Sequence, residues 1–152
     1  GGGIAAMTIE ERVELYKSLF PDCKSFSPMR RVIIAKGYRK ADPLQKLELL
    51  RELATELTKA YKVRIPVLTF YVRDNNYVTA TQEIYLTEPD LEGFLHQFRH
   101  HLQNEARQYE RRLLLVEDNK ALDERIPFKD TIYKMYGEDD ARAWAKFIIE
   151  SV

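Results

Sequence analysis

The chain has 152 residues, of which 45% are hydrophobic, 11% aromatic and 32% charged, enough apolar material for one globular core and too much for general disorder. Its 24 basic and 24 acidic side chains cancel, so no net field draws it to nucleic acid, an anionic membrane or a polyanionic substrate. A single cysteine, Cys23, excludes an internal disulfide, a zinc ribbon and a redox dithiol, and the scattered Gly37, Gly93 and Gly137 offer no clustered loop for a phosphate or dinucleotide.

Gly1 to Ala6, ahead of Met7, carry neither periodic pattern nor turn chemistry and read as an appended leader, leaving 7–152 as a single domain. The sequence shows no apolar run of spanning length and no secretory leader, which with one cysteine makes a cytoplasmic protein the expectation. From Thr8 to Leu19 the spacing of Ile9, Val13, Leu15, Tyr16 and Leu19 predicts a short outer helix, stopped by Phe20-Pro21-Asp22. Arg31 to Ala35 fits either a strand or a helical turn. Asp42-Pro43 supplies a cap and a proline for the first helical position, and Leu44, Leu47, Leu50, Ala54, Leu57 and Tyr61 continue a core helix to about Lys62.

Ile65 to Val72 and Tyr77 to Leu86 are rich in branched and aromatic residues and flank Asp74-Asn75-Asn76, which predicts a β-hairpin. Val78, Ala80, Ile84 and Leu86 are expected to cover a core, and Thr79, Thr81 and Glu83 to face outward. Thr87-Glu88-Pro89-Asp90 predicts a helix start with Thr87 as the cap. Leu91, Leu95, Phe98, Leu102, Ala106, Tyr109 and Leu113 then form the buried stripe of a long helix. After Val116 the chain is turn-like, with a short helix near Lys129 to Met135. Gly137 introduces a last helix whose inward face is Ala141, Trp144, Ala145, Ile148 and Ile149, with Phe147 also assigned to the core. The order is that of an α+β fold, a hairpin or small sheet packed against helices.

The chemistry centres on the run Phe94-Leu95-His96-Gln97-Phe98-Arg99-His100-His101, which holds all three histidines. His96 and His100 are four apart on a helix, so both rings project to one side and can approach a single metal ion, half of a tetrahedral site. Gly93, one turn earlier, would leave room for substrate. Without a metal the same pair is a polar flank beside an apolar stripe.

In this context the sequence resembles the zincin metallopeptidases, whose active-site helix carries His-Glu-x-x-His, and more narrowly the small gluzincin-type domains of the ImmA/IrrE-like and SprT-like kind. The resemblance covers about Arg64 to Val152. It implies zinc as cofactor, a protein or peptide substrate, and a carboxylate from a later helix as third ligand. Glu138 in Glu138-Asp139-Asp140-Ala141-Arg142-Ala143-Trp144-Ala145 is the first choice, because Ala141 and Ala145 let that helix come close; Asp140 is second and Asp139 third. Acidic residues in a first turn also complement the helix dipole without a metal.

The chain departs from the family where it matters most, since Gln97 stands at the position of the general-base glutamate. An amide cannot take a proton from water near neutral pH. The expectation is a zinc-dependent peptidase, hydrolysing peptide bonds by metal-activated water, in an inactive Glu→Gln form. Gln97 is read as an introduced replacement in preference to the mark of a naturally inactive relative. Thr79 and Thr81 on the second strand are candidates for substrate binding by edge pairing, and Tyr133, Tyr136 or His101 for stabilising an oxyanion. Two rivals belong to other classes. One is a catalytically inactive zinc-binding interaction domain; the other is a nucleic-acid-binding module using Arg30, Arg31, Lys36, Arg39 and Lys40 with Tyr38 for stacking, joined by Arg107, Arg111 and Arg112.

Overall fold

The computed structural model describes residues 8–117 and 136–152. Helix α1 (Ile9–Leu19) starts at a capping box in which the Thr8 hydroxyl accepts from the Glu11 amide and the Glu11 carboxylate accepts from the Thr8 amide. The Arg31–Ala35 stretch is helical: α2 (Cys23–Pro28) runs directly into a π-helical turn over Met29–Ile34, which buries Met29, Val32 and Ile33. A short 3-10 turn, Tyr38–Lys40, follows Gly37, whose φ of 67° suits a residue without a side chain. Helix α3 (Pro43–Tyr61) begins as expected, with Asp42 as cap and Pro43 at its first position; Gln45, outside that expectation, closes a capping box. Lys62 ends it in the left-handed region.

The predicted hairpin is not formed. Strand β1 (Val67–Phe70) pairs in parallel with β3 (Glu83–Leu86), and β2 (Asn76–Val78) pairs antiparallel with β3 on its other side, giving the order β1-β3-β2. The Tyr77–Leu86 segment therefore reverses inside itself, at a turn over residues 79–82 that includes Thr79, Ala80 and Thr81. Two non-glycine residues take left-handed conformations to allow this path, Tyr71 (φ 63°) and Gln82 (φ 55°). Ile84 and Leu86 are buried as expected, but Ala80 is exposed.

Helix α4 (Leu91–Glu117) lies against β2 and β3. Its cap is Asp90 rather than Thr87: the Asp90 carboxylate accepts from the Gly93 amide at 2.7 Å, while the Thr87 amide is spent on the Asn75 side chain. The stripe Leu91, Leu95, Phe98, Leu102 and Ala106 is buried, joined by Phe94. The side chains of Ile9 and Leu113, and the segment Lys129–Met135, lie outside the described residues. The last helix, α5 (136–150), buries Ala141, Trp144, Ala145 and Ile148 in the same core. Phe147 is not core; it stays 47% exposed, with its ring tilted against Phe26. The five α-helices and small mixed sheet of the described residues make an α+β fold. Among the described residues no helix is long and apolar enough to cross a membrane.

Tyr61, at the end of α3, anchors α2. Its hydroxyl meets Ser25 Oγ at 2.6 Å and donates to the Pro21 carbonyl at 3.2 Å. Burial pushes its phenol up to about 12 from an ordinary 10.0. A raised acid contributes stability that is whole below pH about 10 and is lost as pH climbs through about 12, because the unfolded chain ionises first. Tyr61→Phe should therefore lose about 1 kcal/mol less than the parent between pH about 8 and about 11 in urea unfolding. Equal losses in both proteins would show that the phenol is not protected.

Candidate metal centre

The helical period puts His96 and His100 one turn apart on the flank of α4, beside the stripe that packs into the core. Their ring centroids are 4.9 Å apart and their Nε2 atoms 3.2 Å apart. Helix α5 brings a carboxylate to the same point: Glu138 Oε2 lies 3.0 Å from His96 Nε2 and Oε1 lies 2.8 Å from His100 Nε2. With one ligand atom from each, His96, His100 and Glu138 come within 4.8 Å of one another and can hold a metal ion. Ala141 and Ala145, the small residues of α5, are both buried. Burial holds His96 below the ordinary histidine range, the charge of His100 acting in the same direction against the opposing pull of Glu138. The neutral ring, which carries the lone pair a metal needs, is favoured.

The alternative ligands are engaged elsewhere. Asp140 receives Arg99 Nε at 2.7 Å and Nη2 at 3.2 Å, and Gln103 Nε2 at 2.8 Å. Asp139 is exposed and pairs with Arg142 at 3.2 Å. Gln97, only 7% exposed, borders a cavity of about 530 Å³ that His100 and Glu138 also line. The other walls come from Val13 and Tyr16 of α1, Asn76 and Tyr77 of β2, and Arg107 further along α4. No hydrogen bond holds the Gln97 side chain to another described residue, whereas its neighbours Arg99 and His100 are both tied down.

Thr79 lines the cavity, from the turn that follows β2. Thr81 sits in the same turn, exposed and away from the cavity walls. Gly93 does not open space for a ligand: a Cβ there would stand 3.0 Å from Asn75 Nδ2 and 3.0 Å from Asp90 Oδ2, so the missing side chain accommodates the protein's own loop. Tyr136 borders the cavity, and Tyr133 lies outside the described residues. His101 is a strut rather than an oxyanion donor. It is fully buried, its Nε2 donates to the Arg64 carbonyl at 2.6 Å, and its Nδ1 accepts from Tyr77 at 2.7 Å. Burial keeps this ring too below the usual histidine range. The Tyr77 hydroxyl in turn accepts from Asn104, so the chain of bonds clamps β2 to α4.

Part of the basic stretch is engaged by its neighbours. Arg31 and Lys36 pair with Glu56 and Glu52 of α3, and Tyr38 is buried with its hydroxyl donating to the Pro89 carbonyl at 2.8 Å. Its ring cannot stack on a base. The side chains of Arg111 and Arg112 lie outside the described residues.

Sequence reasoning missed Arg99, Gln103 and Asn104. The signal for Gln103 was present, since it follows His100 by three residues on the same helix face; Arg99 and Asn104 take their meaning from α5 and β2 and had none. No protein-family model, curated protein or solved structure matches the chain.

Proposed function

We propose that this is a zincin-like metallopeptidase domain acting on protein or peptide substrates, and that with glutamine at position 97 it binds zinc without efficient hydrolysis. The observation that carries the reading is the convergence of His96 and His100 of α4 with Glu138 of α5. Two nitrogens and an oxygen are an ordinary zinc donor set, and zinc–ligand bonds of about 2.0–2.1 Å put tetrahedral ligand atoms about 3.3 Å apart. The separations here are 2.8 to 3.2 Å when each histidine is paired with a different oxygen of Glu138, and within 4.8 Å with one atom from each residue, a span that a small shift of the carboxylate would close. When bound, zinc supplies Lewis-acid polarisation of a carbonyl and makes water a better nucleophile at neutral pH.

The chain's own residues supply the rest. Position 97 follows His96 on α4 and borders the cavity that His100 and Glu138 also line, a place from which a carboxylate could accept a proton from water and return it to a departing amine. Among the described residues strand β2 pairs on one side only, with β3, so its other edge has backbone groups for an extended peptide beside the cavity. A free, exposed Cys23 suits a reducing compartment such as the cytoplasm.

Elemental analysis of the protein purified without added metal tests the site. About one zinc per chain is expected, and its loss in both His96→Ala and Glu138→Ala. A parent that neither retains zinc nor takes it up on titration refutes the reading.

A further inference from the structure

The geometry points to Gln103 as the positioning residue of the metal centre, a single amide that sets both the ring of His100 and the turn that carries Glu138. The inference rests on the metal-site reading above and adds to it a residue that would not touch the metal.

Gln103 Nε2 lies 3.0 Å from the Gly137 carbonyl oxygen and 2.8 Å from Asp140 Oδ2. Both partners only accept hydrogen bonds, so the amide nitrogen faces them and both of its protons are used. The amide oxygen is thereby turned toward His100, with Oε1 at 2.9 Å from Nδ1. That oxygen only accepts. Nδ1 of His100 must therefore carry a proton, which leaves Nε2, the atom facing His96 and Glu138, as the metal-directed nitrogen. Reversing the amide would set its oxygen against a carboxylate and a carbonyl, so the network admits one orientation.

The second arm matters equally. Gly137 directly precedes Glu138, and by donating to the Gly137 carbonyl Gln103 fixes the first turn of α5 against α4. The glycine accommodates this approach: a Cβ at Gly137 would stand 2.9 Å from Gln103 Oε1, the same oxygen that accepts from His100, and would push the amide aside. Asp140 is also held by Arg99, so the attachment of α5 does not depend on Gln103 alone. What depends on Gln103 is the alignment of two ligands on different helices. Hydrogen bonds that orient a ligating histidine ordinarily change metal affinity by about 10–100-fold.

The test is zinc affinity by chelator competition on the full chain at fixed pH, with the visible spectrum of the Co²⁺-loaded protein as a report on ligand geometry. Parent, Gln103→Leu and Gly137→Ala are compared, together with the Tm of each metal-free protein. Gln103→Leu removes both arms and should weaken zinc binding about 10–100-fold and change the Co²⁺ spectrum. Its metal-free Tm should stay near the parent's, because the Arg99–Asp140 pair remains. Gly137→Ala raises helix propensity, so weaker zinc binding in that variant comes from the displaced amide and not from a poorer helix; it carries the test if Gln103→Leu fails to fold. Zinc binding by the parent with both variants within about twofold of it overturns the role of Gln103 and leaves the metal site standing. A parent that binds no zinc overturns both readings at the first step.

Discussion

Gln97→Glu should turn a protein that binds zinc and cleaves little into one that cleaves unfolded protein substrates, with a rate gain of about 10²–10⁴-fold. The factor is what a positioned general base contributes, and nothing else in the site has to change. Glutamine and glutamate have nearly the same shape, and no hydrogen bond to a described residue ties the Gln97 amide in place. The new carboxylate borders the cavity that His100 and Glu138 also line, where a bound divalent cation would offset the cost of its partial burial. Adding His96→Ala to Gln97→Glu should abolish the gained activity, which separates this site from a contaminating protease. If Gln97→Glu retains its zinc yet cleaves neither unfolded protein nor a panel of extended peptides, the peptidase reading fails and a metal-stabilised interaction domain takes its place.

Asp140→Ala should destabilise the fold by about 3–5 kcal/mol, the usual cost of stranding one half of a buried ion pair. Arg99 is 3% exposed and Asp140 14%, so neither charge is well served by water. The guanidinium lies over the Trp144 ring at 5.4 Å, and its Nη1 has no hydrogen-bond partner among the described residues. Without Asp140 it would also lose its two contacts with the carboxylate. For a domain of this length the expected fall in Tm is roughly 10 °C or more. Replacing both members, Arg99→Met with Asp140→Leu, should recover much of the loss, because removing the pair also removes its desolvation cost. Below its lowered Tm, Asp140→Ala should still take up zinc, since Asp140 supplies hydrogen bonds to the frame and not a ligand. Loss of zinc from a demonstrably folded Asp140→Ala would reassign the third ligand.

Local chemistry made the helices readable. Thr8 with Glu11, and Asp42 with Pro43 and Gln45, are capping arrangements whose partners lie within four residues, and the structure realises both. The histidine pair and the choice of Glu138 over its acidic neighbours followed from helical spacing and from the small residues at 141 and 145. The sheet was not readable, for a related reason. Parallel pairing of β1 with β3 is a non-local choice, and the reversal between β2 and β3 is made by Thr-Ala-Thr-Gln, with no glycine, proline or asparagine to announce it. Gln82 and Tyr71 accept left-handed backbone that their side chains do not advertise. The cap of α4 was misplaced by three residues because Thr87 and Asp90 are both good caps, and Asn75 claims the Thr87 amide from outside the helix. Tyr38 looked like a stacking platform among cations only because the buried surface around Pro89 comes from a distant segment.

The brevity of β2 limits how the cavity can recognise an extended chain. A strand of three residues directs the backbone groups of only one or two of them toward a newcomer. At about 0.5–1.5 kcal/mol net for each hydrogen bond, about two such bonds amount to roughly 1–3 kcal/mol. That is less than the 4.1 kcal/mol or so that corresponds to a millimolar complex. On the proposed reading, backbone pairing alone would retain an arbitrary peptide only weakly, which slows cleavage of a generic chain without abolishing it. On that reading, discrimination would fall to side chains meeting cavity walls such as Tyr77, Arg107 and Tyr136, so a scrambled sequence of identical composition should bind far less well than a true target.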